Sequence, residues 1–153
     1  MARKGKPADI VRIDLGAGWH TYGQLLGDPF LAVYDLPTTD RVTDMAAVVG
    51  RPILFVVAVN HRAVGRFGWP IVGQAPPGGA AVAVPDRFIQ DVIYPSNCRV
   101  LDADGNARPT TLLECEGLEP AAVWDLVHVT QRLRDHYAGR PNVHLERMRL
   151  RLP

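Results

Sequence analysis

Serine, cysteine and aromatic residues are scarce in this chain of 153 residues, and each shortage argues against a class of chemistry. The single serine, Ser96, stands in a Pro-Ser-Asn turn without the flanking glycines of a nucleophile elbow, which argues against a serine hydrolase. The two cysteines, Cys98 and Cys115, form no disulfide framework and lack CxxC spacing, so we expect reduced, partly buried thiols. Aromatic residues make up 7% and are not interleaved with a basic stripe, as a nucleic-acid platform requires.

The sequence also lacks a strong net charge and a long apolar run. A formal net charge of +1 gives no overall field toward DNA or an anionic membrane. The longest strongly apolar run, Ile53 to Val59, is far shorter than the roughly 20 residues of a membrane-spanning helix. The basic N-terminus has no apolar segment of signal-peptide length. We therefore expect a cytoplasmic protein with no membrane and no nucleic-acid partner.

The length and the 47% of hydrophobic residues are those of one globular domain, which we expect to span residues 1–153. We expect residues 1–8 to be flexible. Residues 75–86 hold three prolines and two glycines, and this composition predicts a long surface loop.

The first half of the chain predicts an antiparallel meander. Partly alternating or β-branched segments are separated by the turn signals Gly16-Ala17-Gly18 and Gly27-Asp28-Pro29, and such short turns join antiparallel strands. The segment 53–59 is apolar on both faces, which predicts a central strand covered on each side. A short helix over 44–49, capped by Thr43, precedes it. The strands expected in this half are 10–15, 19–26, 30–34, 53–59 and 69–73.

The second half predicts further strands and then helices. Asp104-Gly105-Asn106 predicts the turn of a hairpin that begins with strand 98–101, and Phe88 to Gln90 is strand-like. Apolar residues at helical spacing predict helices over 118–124 and 127–137, and the alternating segment 148–152 predicts a closing strand. The sum is one α+β domain. It has a mostly antiparallel, twisted β-sheet or partly closed barrel, two or three helices, and a long C-terminal helix followed by the closing strand.

Two glycine-rich stretches resemble nucleotide-binding loops but fail in detail. After Gly16 and Gly18 a dinucleotide fingerprint needs a third glycine where Thr21 stands. The stretch FGWPIVGQAPPGG, residues 67–79, is not followed by the Lys-Ser or Lys-Thr of a P-loop. The sequence therefore predicts no cofactor.

The same stretch is better interpreted as scaffold. Phe67 and Trp69 are predicted core anchors at the entrance of a strand, and Pro70 suits the first residue or the edge of that strand. Gly73 is expected to mark a bulge or a close backbone approach. Residues 74–79 would then lead into the loop.

The histidines and glutamates form no recognisable catalytic or metal motif. His128 and His136 stand eight residues apart, whereas a zinc pair on a helix needs about one turn and a third ligand nearby. Glu114 and Glu116 flank Cys115 and would suit acid-base work, but we interpret them as solvent-facing or as lying before a helix N-terminus. No catalytic residue and no metal site is predicted.

Acidic and basic residues are segregated along the chain. Eight acids stand against three arginines between positions 86 and 125, and six arginines stand against two acids from position 132 onward. Either the two regions neutralise each other across the folded surface, or the acids form a face that docks a basic partner. The arginines at 147, 149 and 151 are expected to share a solvated face of the closing strand. The candidate partner-binding residues are Asp86, Asp91, Asp102, Asp104, Glu114, Glu116 and Glu119.

The order of several short segments carries a family resemblance. They include YGQ at 22–24, LGDP at 26–29, VGRPILFVVAV at 49–59, WPIVGQAP at 69–76, FIQD at 88–91, ECEGLE at 114–119 and RLRDHY at 132–137. In this order the chain resembles the Immunity protein 26 family of bacterial polymorphic toxin systems, over about residues 10–150. The resemblance implies a bacterial, non-enzymatic antidote that binds a cognate toxin domain and blocks it by occlusion. It supplies no catalytic residues and leaves the oligomeric state open.

Two alternatives remain from the residues themselves. One is a small β-rich module that binds nucleic acid or a peptide through Trp19, Tyr22 and Tyr34. The other is a small hydrolase that uses His20, His61 or the pair of glutamates around Cys115. If the chain is an antidote to a nuclease, the acids would mimic the phosphates of the nuclease's substrate.

Overall fold

The predicted meander forms the first sheet. In the computed structural model, which describes residues 5–77 and 83–153, β1 (Asp9–Gly16), β2 (Trp19–Leu25) and β3 (Phe30–Tyr34) pair antiparallel in chain order. Strand β4 (Ile53–Val59) then pairs antiparallel with β3. Ala17 and the glycines on either side of it have positive φ angles and form a tight hairpin turn that leads into β2 and not into a helix.

Two further strands complete the first sheet at its edges. The order is β10-β4-β3-β2-β1-β5, in which β5 (Ile71–Gln74) is antiparallel to β1 and β10 (Val123–Trp124) is parallel to β4. The β1–β5 register shifts next to Gly73, and a Cβ atom added at Gly73 would come within 2.5 Å of the Met45 sulfur. The first of the two alternatives expected at this glycine, a bulge, is confirmed, and the neighbour that approaches it is the Met45 side chain.

Strand β4 is covered on both faces, as its apolar sequence predicts. One face packs into a cluster with Trp69, Trp124 and helix α3 (Leu126–Ala138), and the other packs against Phe30 and its neighbours. Trp69 is 4% exposed and is confirmed as a core anchor. Phe67 was expected beside it but is 86% exposed, because the chain turns between residues 65 and 68 and points the ring outward.

A second, smaller sheet follows. Its order is β8-β7-β6-β9, with an antiparallel β6–β7–β8 meander and β9 parallel to β6. Cys98 and Cys115 form no disulfide, as expected, and are buried in a cluster with Phe88. The strands are β6 (Arg87–Gln90), β7 (Cys98–Leu101), β8 (Ala107–Thr110) and β9 (Glu119–Pro120).

The helix predicted over 118–124 is wrong. Glu119–Pro120 is β9 of the second sheet and Val123–Trp124 is β10 of the first, so this segment joins the two sheets. Pro120 provides no amide hydrogen for a helix. The Ala121 backbone amide instead donates to the Phe88 carbonyl oxygen at 2.9 Å.

The closing strand predicted over 148–152 is also absent from the described residues. The Asn142 side chain accepts from the Leu145 amide at 2.8 Å and begins helix α4 (Val143–Arg147), after which the chain runs on without regular structure. The three arginines expected to share a strand face make separate contacts. Arg147 ends α4, Arg149 pairs with Glu146, and Arg151 contacts the turn after β6.

The remaining differences concern helix ends and closure. Helix α1 (Met45–Val49) is capped by Asp44 and not by Thr43, and helix α2 (Leu112–Cys115) lies just ahead of the position where a helix was expected. The two sheets stay open, so the barrel alternative is not realised.

Two predicted segments lie partly outside the described residues, 1–4 in the N-terminal segment and 78–82 in the proline-rich loop. Residues 75–77 and 83–86 carry no helix or strand. Among the helices of the described residues, none is long and apolar enough to cross a membrane.

Candidate functional site

The histidines and glutamates considered for catalysis either take part in hydrogen bonds and ion pairs of the fold or lie exposed without a catalytic partner beside them in the described residues. His20 is 9% exposed, and its Nε2 lies 3.0 Å from the Tyr22 hydroxyl oxygen. His61 is exposed on a turn. Glu114 accepts a hydrogen bond from the Thr110 hydroxyl and belongs to an exposed ion pair. In the parts of the chain that the structure describes, no group of three or more His, Cys, Asp and Glu residues is arranged to hold a metal ion.

The three aromatic residues named for the alternative binding module do not form a platform at the surface. Tyr22 and Tyr34 are 2% and 0% exposed, whereas Trp19 is half exposed in the β1–β2 hairpin. The Tyr34 hydroxyl donates to the Gln24 side-chain oxygen at 2.7 Å, inside the sheet. These two tyrosine rings are therefore core groups that offer no face to a nucleobase.

All seven candidate acids lie in the second sheet or its connections, and three of them gather at one end of it. Asp86 precedes β6, while Asp102 and Asp104 lie in the β7–β8 turn next to the start of β6. The Asp102 carboxylate holds this turn by accepting from the Asp104 and Asn106 amides, each at 2.9 Å. Asp86 and Asp104 have no ion pair among the described residues.

Asp91 lies at the opposite end of the same sheet. Its Oδ1 accepts from the amides of Tyr94 and Ile93, at 2.8 and 2.7 Å. These two hydrogen bonds hold the pKa of the Asp91 carboxyl below its usual range. Glu114 lies at the same end of the sheet as Asp91, because α2 begins directly after β8.

Glu119 is committed to an ion pair with the basic C-terminal region. The Arg132 guanidinium donates to both carboxylate oxygens, with an Nη1–Oε2 distance of 3.1 Å. Both side chains are largely buried, at 12% and 23% exposed. Neutralisation of the acidic region by the basic one therefore does occur here. Glu116 is exposed in the turn after α2 and has no ion pair among the residues that the structure covers.

The sequence interpretation missed an exposed apolar turn between β6 and β7. Val92, Ile93 and Tyr94 are 80%, 77% and 64% exposed. A cavity of about 460 Å³ lies beside this turn, and Ile89, Asp91 and Arg99 contribute to its lining. The available signal was the run of three apolar residues set between Asp91 and the turn-forming Pro-Ser-Asn.

The comparison with known families decides the identity of the chain. A profile of the family described as Immunity protein 26 matches residues 6–99, which is more than half of the chain. The chain belongs to the Immunity protein 26 family. The resemblance inferred from the sequence is confirmed, and the chain is placed among immunity proteins. No curated protein and no solved structure is significantly similar to it.

The span of the family match divides the candidate surface. It ends inside β7, so Asp86, Asp91 and the apolar turn fall within the span that matches Immunity protein 26. The other five candidate acids lie beyond it. The resemblance of residues 114–119 and 132–137 to the family also lies beyond the match and stays a prediction.

Proposed function

We propose that this chain is an immunity protein that binds the cognate toxin domain of a bacterial polymorphic toxin or contact-dependent competition system. It neutralises the toxin by covering a surface that the toxin needs and not by catalysis. The observation that carries the proposal is the Immunity protein 26 match over residues 6–99. The proposal includes action in the bacterial cytoplasm by a single domain of residues 1–153.

The proposed contact surface is the acidic second sheet. Asp86, Asp102 and Asp104 are close together at one end of it, and the turn that holds two of them is fixed by hydrogen bonds. Such a cluster favours a basic partner and accelerates its approach. A nuclease with a phosphate-attracting groove is one toxin class that fits this surface.

The first experiment tests binding itself. The reading frames next to the gene for this chain are searched for one that ends in a toxin-like domain, and that domain is co-expressed with the chain and purified through a tag on one partner. We expect a stable complex and loss of the toxin's toxicity to cells that express both. No complex at micromolar concentrations of both proteins would overturn the proposal.

A second experiment tests the acidic surface. The triple variant Asp86→Asn, Asp102→Asn, Asp104→Asn removes three charges while leaving side-chain oxygens that can still accept in the β7–β8 turn. The matched control Asp14→Asn, Asp28→Asn, Asp40→Asn removes three exposed charges in the first sheet and its connections. We expect the association rate at low salt to fall about tenfold in the first variant only. An association rate that does not change with ionic strength in the unmodified chain would contradict the electrostatic part.

A further inference from the structure

The turn between β6 and β7 presents three apolar side chains in succession to solvent. Val92, Ile93 and Tyr94 are each at least 64% exposed. Single exposed apolar residues are ordinary on protein surfaces, whereas a contiguous apolar group marks an interaction site more often. Tyrosine is also among the residues that dominate binding energy in protein interfaces.

This turn is held in one conformation from within. The Asp91 carboxylate accepts from the amides of Ile93 and Tyr94, at 2.7 and 2.8 Å. The Gln90 side-chain amide donates to the Pro95 carbonyl oxygen at 2.9 Å, and the Asn97 amide donates to the Tyr94 carbonyl oxygen at 2.8 Å.

The C-terminal tail holds the same turn from outside. Arg151 Nη2 donates to the carbonyl oxygens of Asp91 and Val92, at 2.7 and 3.0 Å. The Arg151 backbone exchanges two hydrogen bonds with the Gln90 side chain, at 2.8 and 2.9 Å. Leu150 packs into the buried cluster beneath the second sheet and fixes the tail at this point. A residue 60 positions away in the sequence thus supports an exposed apolar tip, which would lose little conformational freedom on binding.

The size and the charges of this region indicate the kind of partner that it fits. Exposed apolar side chains contribute most to binding when they enter a well-packed, desolvated pocket on the partner. Three side chains also bury far less area than the roughly 800 Å² that each partner buries in a standard interface, so the tip can be only one part of a larger contact.

The acids at the other end of the sheet are close enough to contact the same partner. Strand β6 has four residues, which at about 3.3 Å per residue separates Asp91 from Asp86 by less than roughly 20 Å. One partner surface of standard size can therefore reach both ends of the sheet. The charges beside the tip are Asp91, Arg99 and Arg151, whereas the far end carries the three grouped acids.

We propose that Val92, Ile93 and Tyr94 are the apolar anchor by which this chain enters a hydrophobic pocket on its toxin, and that Arg151 positions them. The partner is a folded protein domain with an apolar pocket and, within about 20 Å of it, a basic patch that meets the grouped acids. This inference rests on the proposed immunity function and assigns the part of the surface that sets the lifetime of the complex.

The binding test uses the full chain and the toxin domain with which it co-purifies in the experiment above. Ile93→Ser and Tyr94→Ser are compared with Phe67→Ser, because Phe67 is 86% exposed on the turn ahead of β5 in the first sheet and lies outside the proposed contact surface. Association and dissociation rates are measured for each variant. We expect each anchor variant to weaken binding about 30-fold, mostly through faster dissociation, and Phe67→Ser to change it less than twofold.

The positioning role of Arg151 is tested in the free protein as well. In Arg151→Gln the amide hydrogens of Ile93, Tyr94 and Asn97 should exchange faster, together with weaker toxin binding, and Arg151→Lys should restore part of both. Unchanged exchange in Arg151→Gln would overturn the positioning role.

The outcomes separate the two proposals. Anchor variants that bind the toxin as tightly as the unmodified chain would overturn this inference and leave the immunity function standing. An unmodified chain that does not bind the toxin domain would overturn the immunity function itself, and the anchor with it.

Discussion

Gly68 shows how a single residue fixes the turn that places Trp69 in the core. A Cβ atom at this position would lie well inside van der Waals contact with the backbone of Ala63, and backbone atoms have no side-chain rotamer to move out of the way. The Trp69 amide donates to the Ala63 carbonyl oxygen at 2.6 Å, so the crowded atoms also carry the hydrogen bond that closes the turn.

We expect Gly68→Ala to lower the free energy of unfolding by about 1–3 kcal/mol, measured by denaturant titration. The matched control is Gly27→Ala, where an added Cβ meets no atom within 4 Å and the change should stay within about 0.5 kcal/mol. Equal effects of the two substitutions would contradict this account.

His144 is the residue at which we expect stability to depend on pH. Its ring stacks on His128 with a centroid distance of 4.1 Å and meets the buried Trp124 edge-on at 4.9 Å. Burial, and then the nearby His128 and Arg147, lower the pKa of His144, while Asp125 opposes them. Because the folded-state pKa lies below the unfolded value of about 6.5, the contribution of neutral His144 is complete above pH 6.5 and is lost as the pH falls below it.

The test of the histidine pair is a comparison of unfolding free energies at pH 7.5 and 5.5. We expect His144→Gln to reduce the difference between the two values, because glutamine does not titrate. His61→Gln serves as the control, since His61 is exposed on a turn and takes no part in the ring contacts of His128, Trp124 and His144, so the difference should stay unchanged. A difference that His144→Gln does not alter would assign the acid sensitivity to other groups.

At the scale of elements, Arg132 connects α3 to both sheets. Its guanidinium lies 3.8 Å from the ring centroid of Phe55 in β4 and pairs with Glu119 in β9. Removing one partner of such a buried pair leaves the other charge without compensation. We expect Arg132→Ala to cost about 3 kcal/mol of stability, and Arg132→Lys to cost less because lysine keeps the charge but not the planar, two-pronged contact. Arg108→Ala, which breaks the exposed pair with Glu114, should cost at most about 1 kcal/mol by the same denaturant titration. A loss in Arg108→Ala as large as that in Arg132→Ala would contradict the importance of burial.

The elements also show which parts of the fold the sequence could predict. The meander β1–β4 and the long helix α3 were found because their signals are local, namely turn residues between β-branched runs and a 3.6-residue apolar period. The segment 118–124 failed because its two short strands are defined by partners far away, β6 and β4, and nothing local in the sequence reports such pairing. The segment 148–152 failed because alternation alone does not supply a neighbouring strand.

The candidate site divides in the same way. The segregation of acidic and basic residues along the chain pointed to the seven candidate acids. It did not reveal that Glu119 is neutralised by Arg132 or that Asp102 holds a turn. The apolar turn at 92–94 was overlooked because an apolar run of three residues is indistinguishable from a buried strand end until burial is known. A contact between residues 60 positions apart, such as that of Arg151 with Asp91, has no signature in a single sequence.

At the scale of the whole molecule, the two sheets should unfold together. The six residues 119–124 contribute one strand to each sheet, with only two residues between β9 and β10. Arg132 ties β9 to the first sheet, and the Arg87 guanidinium in β6 lies 4.5 Å from the ring centroid of Phe30 in β3. Separating the sheets would therefore break several buried contacts at once, which is the condition for a single cooperative transition.

Tryptophan fluorescence reports on the first sheet and its edges, where Trp19, Trp69 and Trp124 lie, whereas far-ultraviolet circular dichroism reports on both sheets. We expect the two probes to give coincident guanidinium unfolding curves, in agreement with a single domain over residues 1–153. Curves with separate midpoints would mean that the second sheet, with the proposed toxin-binding surface, unfolds as a unit of its own.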